Sequence, residues 1–296
     1  MPSTLPTPPG VESENEILRL SPRSFREFAE FITGKLGIKM SENKIPMLQS
    51  RLQRRLRELG LPSIEAYKTY LFDSPQAEAE LAHFISAVTT NKTDFFREPH
   101  HFNYLTRTAL PALDRDPDRP WRFKLWCAGC SSGEEPYTLS MVLSDYAPQR
   151  PGFDYALLAT DVSSRVLAIA QEAVYDSERV EPVSLEQRKK YLLRSRRPDC
   201  DQVRIVPALR AKVQFHPLNF MEETYPVADT FDAIFFRNVM IYFDKPTQQA
   251  VVNRLCRNLR PGGYLFVGHS ESLIGLDVPV RMVASAVYRK AGSARE

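Results

Sequence analysis

The segment Thr89–Leu105 is rich in side chains that can bind a polar ligand. It reads TTNKTDFFREPHHFNYL and places amide, hydroxyl, carboxylate, guanidinium and imidazole groups among four aromatic residues. A plain amphipathic helix does not need so many polar groups beside its apolar residues. We therefore interpret the segment as part of a binding site.

Further polar residues follow predicted strands in the C-terminal two-thirds of the chain. The runs RFKLWCAG (122–129) and DYALLATD (154–161) are predicted strands, and the second is followed by a predicted helix, SSRVLAIAQEAVY. A third strand is predicted at FDAIFF, and a fourth at the start of YLFVGHSESL. This alternation predicts an α/β fold with a doubly wound, mostly parallel sheet. In such a sheet, ligands bind beyond the carboxyl ends of the strands.

The residues at two of these strand ends indicate a nucleoside ligand. Asp161 ends the second predicted strand, where a carboxylate can accept hydrogen bonds from both hydroxyls of a ribose. The loop Ala128–Gly133 lets a ligand approach the backbone, but it lacks the G-x-G-x-x-G pattern of dinucleotide sites. A single adenosine with a compact tail fits better, and this favours S-adenosylmethionine (SAM).

The N-terminal third is predicted to be a small helical bundle. Ser21 and Pro22 are typical of a helix start, and a second helix is predicted near residues 43–59. That helix carries Arg51, Arg54, Arg55 and Arg57. These arginines form either a solvated helix face or a docking surface for an acidic partner, protein or nucleic acid. Composition alone does not choose between the two interpretations.

The composition is that of an ordinary globular protein, with 43% hydrophobic and 25% charged residues. The net charge of +3 is too small to indicate nucleic-acid binding by itself. No apolar run approaches the roughly 18 residues that span a bilayer, and the first residues lack the pattern of a signal peptide. Four cysteines do not make a disulfide scaffold. We expect a cytoplasmic protein.

Two residue pairs look like metal ligands, but each has a simpler interpretation. His100 and His101 are adjacent, and adjacent side chains on a helix point about 100° apart. Packing or a local hydrogen bond is therefore preferred for them. Cys127 and Cys130 form a C-x-x-C, but a zinc site would need two further ligands and there is no second C-x-x-C. We expect no metal.

Five motifs occur in order: TTNKTDFFREPHHF, SSGEEPYTLSMVL, ATDVSSRVLAIAQEAVY, FDAIFFRNVMIYFDKPTQ and LRPGGYLFVGHSESL. Together they strongly resemble the chemotaxis receptor glutamate methyltransferases, the CheR family, over roughly residues 20–290. The resemblance implies a class I SAM-dependent methyltransferase with a small all-α N-terminal domain and a small inserted β-subdomain. It also implies methyl transfer from SAM to glutamate carboxylates of chemoreceptors, which gives glutamate methyl esters and S-adenosylhomocysteine.

The same resemblance implies the partner and the roles of individual residues. The partner would be the cytoplasmic helical domain of the receptor, bound by a monomer without nucleic acid or membrane insertion. Arg97 and Tyr242 would position the substrate carboxylate, and Asp161 would bind the ribose. The other cofactor-binding candidates, beside Arg97 itself, are Asn91, Thr93, Glu134, Glu135, Asn219, Phe220, Arg237 and Asn238. Asn219 and Phe220 would flank the adenine, whereas the choice between Glu134 and Glu135 is left to geometry.

The expected domains follow from the patterns and the resemblance. Residues 1–17 are expected to be a disordered tail, and residues 18–90 a helical domain. Residues 91–110 are a linker that contributes to the cofactor site, and residues 111–296 are the methyltransferase domain. The inserted β-subdomain is expected at about residues 196–217, with QVRIVP and KVQFHP as two short strands.

The loop before the first of these strands bears on receptor recognition. Some family members grip a peptide at the receptor's C-terminus through this subdomain, beside a glycine-rich loop. Here the loop reads RSRRPDCD, which has no glycine and contains the φ-fixing Pro198. Arg194, Arg196 and Arg197 would also crowd the strand edge. We therefore expect an enzyme that does not depend on such a tether.

Two alternatives come from other classes of function. Nucleic-acid amino-methyltransferases commonly carry an N/D-P-P-Y/F/W motif after a strand, whereas the corresponding place here reads RNVMIY. A catalytically silent binding module could retain the fold. Against that interpretation, the motif residues are intact: Asn91, Thr93, Arg97, Asp161 and Asn238.

Overall fold

The computed structural model describes residues 19–114, 121–197 and 199–292. These residues divide into two compact units, residues 19–34 with 40–88 and residues 35–39 with 89–292. The expected tail of residues 1–17 lies outside the described residues. None of the described helices has both the length and the apolar content that a membrane span requires.

The first unit is helical, as predicted. Its helices are α1 (Pro22–Leu36), α2 (Ile45–Leu59), α3 (Ile64–Asp73) and α4 (Ala77–Val88). Ser21 caps α1 as expected, because its hydroxyl oxygen accepts the backbone N–H of Ser24 at 3.0 Å. The largest side chains of its core are Phe28, Leu48, Tyr67 and Phe84, all buried.

The second unit alternates strands and helices. Its strands are β1 (Trp121–Ala128), β2 (Phe153–Asp161), β3 (Val174–Asp176), β4 (Leu192–Arg194), β5 (Gln202–Ile205), β6 (Val213–Pro217), β7 (Phe231–Phe236), β8 (Leu259–Val267), β9 (Val280–Ala284) and β10 (Val287–Lys290). Helix α5 is continuous over His100–Tyr104, a π-helical turn at Leu105–Ala109, and Leu110–Leu113. The later helices are α6 (Glu134–Tyr146), α7 (Ser164–Glu172), α8 (Leu185–Tyr191), α9 (Pro207–Arg210) and α10 (Lys245–Arg257).

The main sheet has seven strands in the order β6-β2-β1-β7-β8-β10-β9. β1 pairs in parallel with β2 and β7, β2 with β6, and β7 with β8, whereas β10 is antiparallel to β8 and β9. Every residue of β7 is buried, as expected for a central strand covered on both faces. The predicted mostly parallel sheet is confirmed.

The register of the sheet aligns the carboxyl ends of its central strands. Ala128 at the end of β1 pairs with Thr160 of β2, and Phe236 at the end of β7 pairs with Val267 of β8. The segments that follow these four strands therefore meet at one edge of the sheet, where open α/β sheets bind their ligands.

A small antiparallel sheet, β3-β5-β4, lies between β2 and β6 along the chain. It confirms a small inserted β-subdomain but corrects its expected strands. KVQFHP contains β6, which pairs in parallel with β2 from Leu157 onward and so belongs to the main sheet. β3 replaces the end of the predicted helix SSRVLAIAQEAVY, because Ala173 adopts a left-handed φ of 56° and ends α7. The loop RSRRPDCD joins β4 to β5, and its Pro198 lies outside the described residues.

Candidate functional site

The loop after β1 is held against the end of β2 by backbone hydrogen bonds. The N–H groups of Gly129 and Cys130 donate to the carbonyl oxygen of Thr160 at 2.8 and 2.9 Å. Gly129 has a φ of 86°, which disfavours any residue with a Cβ atom. A Cβ atom at residue 129 would also lie 2.5 Å from Cγ2 of Val239, so glycine here allows the loop to pack closely against the segment after β7.

Asp161, at the end of β2, is hydrogen-bonded to the same loop. One carboxylate oxygen accepts the N–H of Ser131 at 2.9 Å, and the other accepts the N–H of Ser163 at 3.0 Å. Burial raises the pKa of Asp161, and these backbone donors oppose the rise. The N–H of Val162 is a third backbone donor to this carboxylate. A carboxylate offers about four acceptor positions, so Asp161 retains capacity for a ligand hydroxyl.

The linker that follows residue 90 lies against this loop and against α6. The carbonyl of Asn91 accepts the hydroxyl of Ser131 at 2.9 Å, and the N–H of Phe96 donates to the hydroxyl of Thr138 at 3.1 Å. The structure therefore brings the predicted polar segment to the edge where the strands end. The side chain of Asn91 donates to Thr89 at 3.3 Å, within the linker itself.

Glu134 and Glu135 have different surroundings. Glu134 is fully buried, forms an ion pair with Arg179 and accepts the hydroxyl of Ser132 at 2.7 Å. The side chain of Glu135 retains 14% exposure and lies 3.2 Å from the guanidinium of Arg237. The carboxylate of Glu135 also accepts the thiol of Cys127 at 3.2 Å. Glu134 is thus buried and ion-paired, and Glu135 is the more exposed carboxylate of the pair.

Arg237 is buried between two carboxylates. Besides Glu135, its guanidinium lies 3.3 Å from Glu98 and donates to the carbonyl oxygen of Arg97 at 2.6 Å. Its guanidinium carbon lies 5.5 Å from the centre of the Phe102 ring. Arg237 thus connects the linker to two carboxylates of this edge, while its Nε and Nη1 form no hydrogen bond within the described residues.

Asn238 follows β7 in a left-handed conformation, with a φ of 58°. Its backbone N–H donates to the carboxylate of Glu271 at 2.8 Å, and its side-chain amide lies 3.4 Å from Glu98. Burial raises the pKa of Glu271, and the backbone N–H groups of the surrounding turn oppose the rise. Tyr242 is half-buried four residues further on, at the end of the turn Met240–Tyr242.

Comparison with known proteins decides the family of this fold and site. A family model described as "CheR methyltransferase, SAM binding domain" matches residues 91–289, and one described as "CheR methyltransferase, all-alpha domain" matches residues 23–89. The chain belongs to the CheR methyltransferase family. The mostly parallel sheet with its antiparallel β10 is accordingly the class I SAM-dependent methyltransferase fold.

Curated members of the CheR family match over most of the chain. The chemotaxis protein methyltransferase 2 of Pseudomonas aeruginosa is 39% identical over 98% of this chain and 100% of its own length. The chemotaxis protein methyltransferase of Escherichia coli is 38% identical over 92% of both chains, and that of Borreliella burgdorferi is 35% identical over 88% of this chain and 92% of its own. This CheR-family chain is a SAM-dependent methyltransferase.

The chemistry of the strand-end edge fits SAM. The loop at Gly129 and the buried acceptor Asp161 suit the adenosine part. The methionine part carries a sulfonium and an ammonium, and the partly exposed carboxylates of Glu98 and Glu135 complement these positive charges. The side chain of Arg97 donates to the carbonyl of Lys92 at 3.2 Å and retains further N–H groups for a carboxylate.

The adenine candidates of this CheR-family chain are also placed near the loop. Phe220 is buried and packs edge-on against Phe236, with the two ring centres 5.1 Å apart. The side chain of Asn219 is used locally, since it donates to the carbonyl of Lys35 at 2.8 Å and accepts the N–H of Met221 at 3.0 Å. This leaves Phe220 as the apolar surface beside the loop.

The four arginines of α2 divide into two groups. Arg55 is mostly buried and binds Glu80 at 2.7 Å, and Arg51 donates to the carbonyl of Val88 at 2.7 Å. Arg54 has 74% of its side chain exposed, and Arg57 is also exposed. Arg55 thus stabilises the helical unit. Arg54 and Arg57 lie at the surface, where Arg54 also forms an exposed ion pair with Glu58 at 3.2 Å.

The histidines of the linker segment pack among aromatic rings. Nδ1 of His100 lies 2.9 Å from Nε2 of His269, and His101 is fully buried near Phe266. Burial, with the nearby charge of Arg237, lowers the pKa of His101 to about 2. Cys127 and Cys130 are buried free thiols. Among the described residues, no group of three or more His, Cys, Asp or Glu side chains is arranged to hold a metal.

Sequence reasoning missed three residues of this edge. Glu98, Arg179 and Glu271 were not among the predicted site residues, yet they contact those that were. Glu98 and Glu271 both lie in motifs quoted above. The available signal was the acidic type of Glu271 after a predicted strand, and the place of Glu98 in the polar linker segment. Arg179 belongs to a turn after β3 that no motif marks.

Proposed function

We propose that this CheR-family chain transfers the methyl group of SAM to glutamate side-chain carboxylates of chemotaxis receptors, with glutamate methyl esters and S-adenosylhomocysteine as products. The observation that carries the proposal is the match of both family models in sequence, over residues 23–89 and 91–289. Nothing at the site favours a nucleic-acid substrate.

The cofactor contacts are proposed from the arrangement at the sheet edge. Asp161 binds the ribose hydroxyls and Phe220 lies against the adenine, with Asn219 shaping the turn. Asn91, Thr93 and Arg97 cover the cofactor from the linker. Glu135 and Asn238 face the methionine end of the cofactor. Arg237 holds the carboxylates of Glu98 and Glu135 in place. Glu134 supports the start of α6 through its ion pair with Arg179.

The protein needs to do little to the substrate carboxylate. A glutamate with an ordinary pKa of about 4.3 is ionised at neutral pH and needs no general base. Bound SAM supplies an electrophilic methyl group on its sulfonium. Arg97 and Tyr242 orient the incoming carboxylate without holding it so tightly that it loses nucleophilicity. The rate gain then comes from alignment of the reacting atoms and loss of water from the carboxylate.

The partner and the domain roles complete the proposal. The protein acts as a cytoplasmic monomer on the helical cytoplasmic domain of the receptor, without nucleic acid or membrane insertion. Residues 18–90 contribute to docking, residues 91–110 close the cofactor site, and residues 111–296 carry the chemistry. The exposed charges of Arg54 and Arg57 support docking to an acidic helical surface.

Incubation with methyl-labelled SAM and a receptor cytoplasmic fragment tests this function. We expect label on the receptor that is released as methanol by base, because esters are base-labile whereas methylated amines are not. A receptor fragment with its methyl-accepting glutamates changed to alanine is the control. Base-stable label, or equal labelling of that control, would contradict the ester assignment.

A further inference from the structure

The carboxylate of Glu271 joins the segments that follow two neighbouring strands. One oxygen accepts the N–H of Gly268 after β8 at 2.6 Å and the N–H of Asn238 after β7 at 2.8 Å. The other oxygen accepts the N–H of Ile241 at 3.3 Å. Glu271 is 7% exposed, so these donors are satisfied inside the protein by a single side chain.

The two segments that Glu271 joins are tightly constrained. Asn238 holds a left-handed φ of 58°, which few residues with a Cβ atom adopt. Residue 268 must be glycine, because a Cβ atom there would lie 2.9 Å from the Glu271 carboxylate and 3.0 Å from the Asn238 nitrogen. Asparagine adopts this conformation more readily than most residues, and the three bonds to Glu271 hold the two segments in their observed arrangement.

The turn held in this way carries two residues assigned to methyl transfer. The side-chain amide of Asn238 lies 3.4 Å from Glu98, a carboxylate of the site. Tyr242 ends the turn whose Ile241 N–H binds Glu271. The backbone of the turn, and with it the direction of both side chains, therefore depends on the Glu271 carboxylate.

We propose that Glu271 is a positioning residue for methyl transfer. It fixes the turn after β7 so that Asn238 and Tyr242 face the reacting groups, and it acts through them without contacting substrate or cofactor. Glutamine in its place keeps one carbonyl acceptor but turns an NH2 donor towards backbone N–H groups, so the turn loses its geometry. This inference rests on the proposed function.

A double-mutant cycle between Glu271→Gln and Asn238→Ala tests the inference. We expect Glu271→Gln to lower kcat for receptor methylation about tenfold or more. When Asn238→Ala is already present, Glu271→Gln should lower kcat by a smaller factor, because only its effect through Tyr242 remains. The loss should appear in kcat more than in the KM for receptor. Equal losses in the two backgrounds, or a wild-type rate, would overturn the inference.

Asp232→Asn is the matched control. Asp232 is also a buried carboxylate of β7, but it lies at the amino end of the strand, where it accepts the N–H of Lys124 at 2.6 Å and pairs with Arg260. Its loss should lower stability while the turnover of the folded enzyme stays near wild type. If Asp232→Asn couples to Asn238→Ala as strongly as Glu271→Gln does, the effect is general and the inference fails.

Amide hydrogen exchange gives a readout that needs no activity. The N–H groups of Gly268, Asn238 and Ile241 should exchange faster in Glu271→Gln than in wild type, whereas the N–H of Lys124 should not change. Unchanged exchange at the first three sites would overturn the inference. A wild-type enzyme that methylates no receptor would instead refute the proposed function and leave the exchange test in force.

Discussion

Arg179 forms an ion pair with the fully buried carboxylate of Glu134 and also donates to the carbonyl of Thr93 at 3.4 Å. Arg179 follows β3 of the inserted β-subdomain, Glu134 begins α6 after the cofactor loop, and Thr93 belongs to the linker. One side chain thus connects the three segments that surround the proposed cofactor site.

Arg179→Ala should destabilise the protein through Glu134. The buried carboxylate would keep only the hydroxyl of Ser132 as a donor, and an unpaired buried polar group costs about 1–3 kcal/mol, more when charged. Urea denaturation should show this loss, and Glu134→Gln in the same variant should recover much of it. Arg165→Ala, which removes an exposed arginine of the same unit, should have little effect. A larger loss in the double variant would contradict this explanation.

Asp161→Ala should weaken cofactor binding. It removes the proposed ribose acceptor, and a hydrogen bond to a charged group contributes about 1.5–3 kcal/mol, so affinity should fall roughly tenfold or more. Calorimetric titration with S-adenosylhomocysteine measures this. Asp161→Asn keeps one acceptor oxygen and should lose less. An unchanged affinity in a folded Asp161→Ala protein would refute the ribose assignment.

Replacement of Arg54 and Arg57 by alanine should slow receptor methylation and leave cofactor binding intact. Added salt should reduce the difference in methylation rate between the variant and the wild type. The reason is that interactions between exposed charges more than about 10 Å apart are screened at 0.1 M salt. Arg23→Ala with Arg26→Ala removes two exposed arginines of α1 and is the matched control. Equal slowing by both pairs would indicate a general charge effect.

Arg55→Ala should instead lower stability, because it leaves the buried Glu80 unpaired.

Acid should destabilise the protein through His101. Its folded pKa of about 2 lies below the ordinary value near 6.5, so the unfolded chain binds the proton and the folded chain does not. Stability is therefore lost as pH falls below about 6.5, by about 2 kcal/mol between pH 7 and pH 5. His101→Phe should remove that part of the slope, and His216→Gln, which removes an exposed imidazole, should not. A slope unchanged in His101→Phe would contradict the assignment.

A receptor C-terminal peptide should not bind the small β-sheet tightly. β5 is its central strand and pairs with both β3 and β4, so a peptide strand could add only at the outer edge of β3 or β4. The loop between β4 and β5 carries arginines and no glycine, which disfavours close approach of a peptide strand. Titration with a pentapeptide from a receptor that carries such a tether should show no micromolar binding. Micromolar affinity, with amide shifts confined to the outer strands Val174–Asp176 or Leu192–Arg194, would overturn the expectation that this enzyme recognises the methylation helices directly.

Local patterns in the sequence determined most of the helices and strands, and the edge of the sheet at which a ligand was expected. Helical spacing and the Ser21 cap predicted the first unit, and apolar runs predicted β1, β2, β7 and β8. Asp161 could be singled out because the position of a residue at a strand end depends only on its neighbours. These features extend over a few residues, so a single sequence is enough to recognise them.

Tertiary structure decided which polar groups meet. Asn238 and Glu271 are distant along the chain and are brought together by the register of β7 and β8. Glu98 of the linker meets Arg237 because the linker packs against the end of β7. Tertiary structure likewise pairs Glu134 with Arg179. It also pairs Arg55 with the buried Glu80, so that Arg55 is not one of the exposed arginines of α2. Strand β6 could not be assigned to the main sheet from its sequence, because a short strand's own residues do not specify its partner. Pairings of this kind depend on how the whole sheet aligns, and no local spacing encodes them.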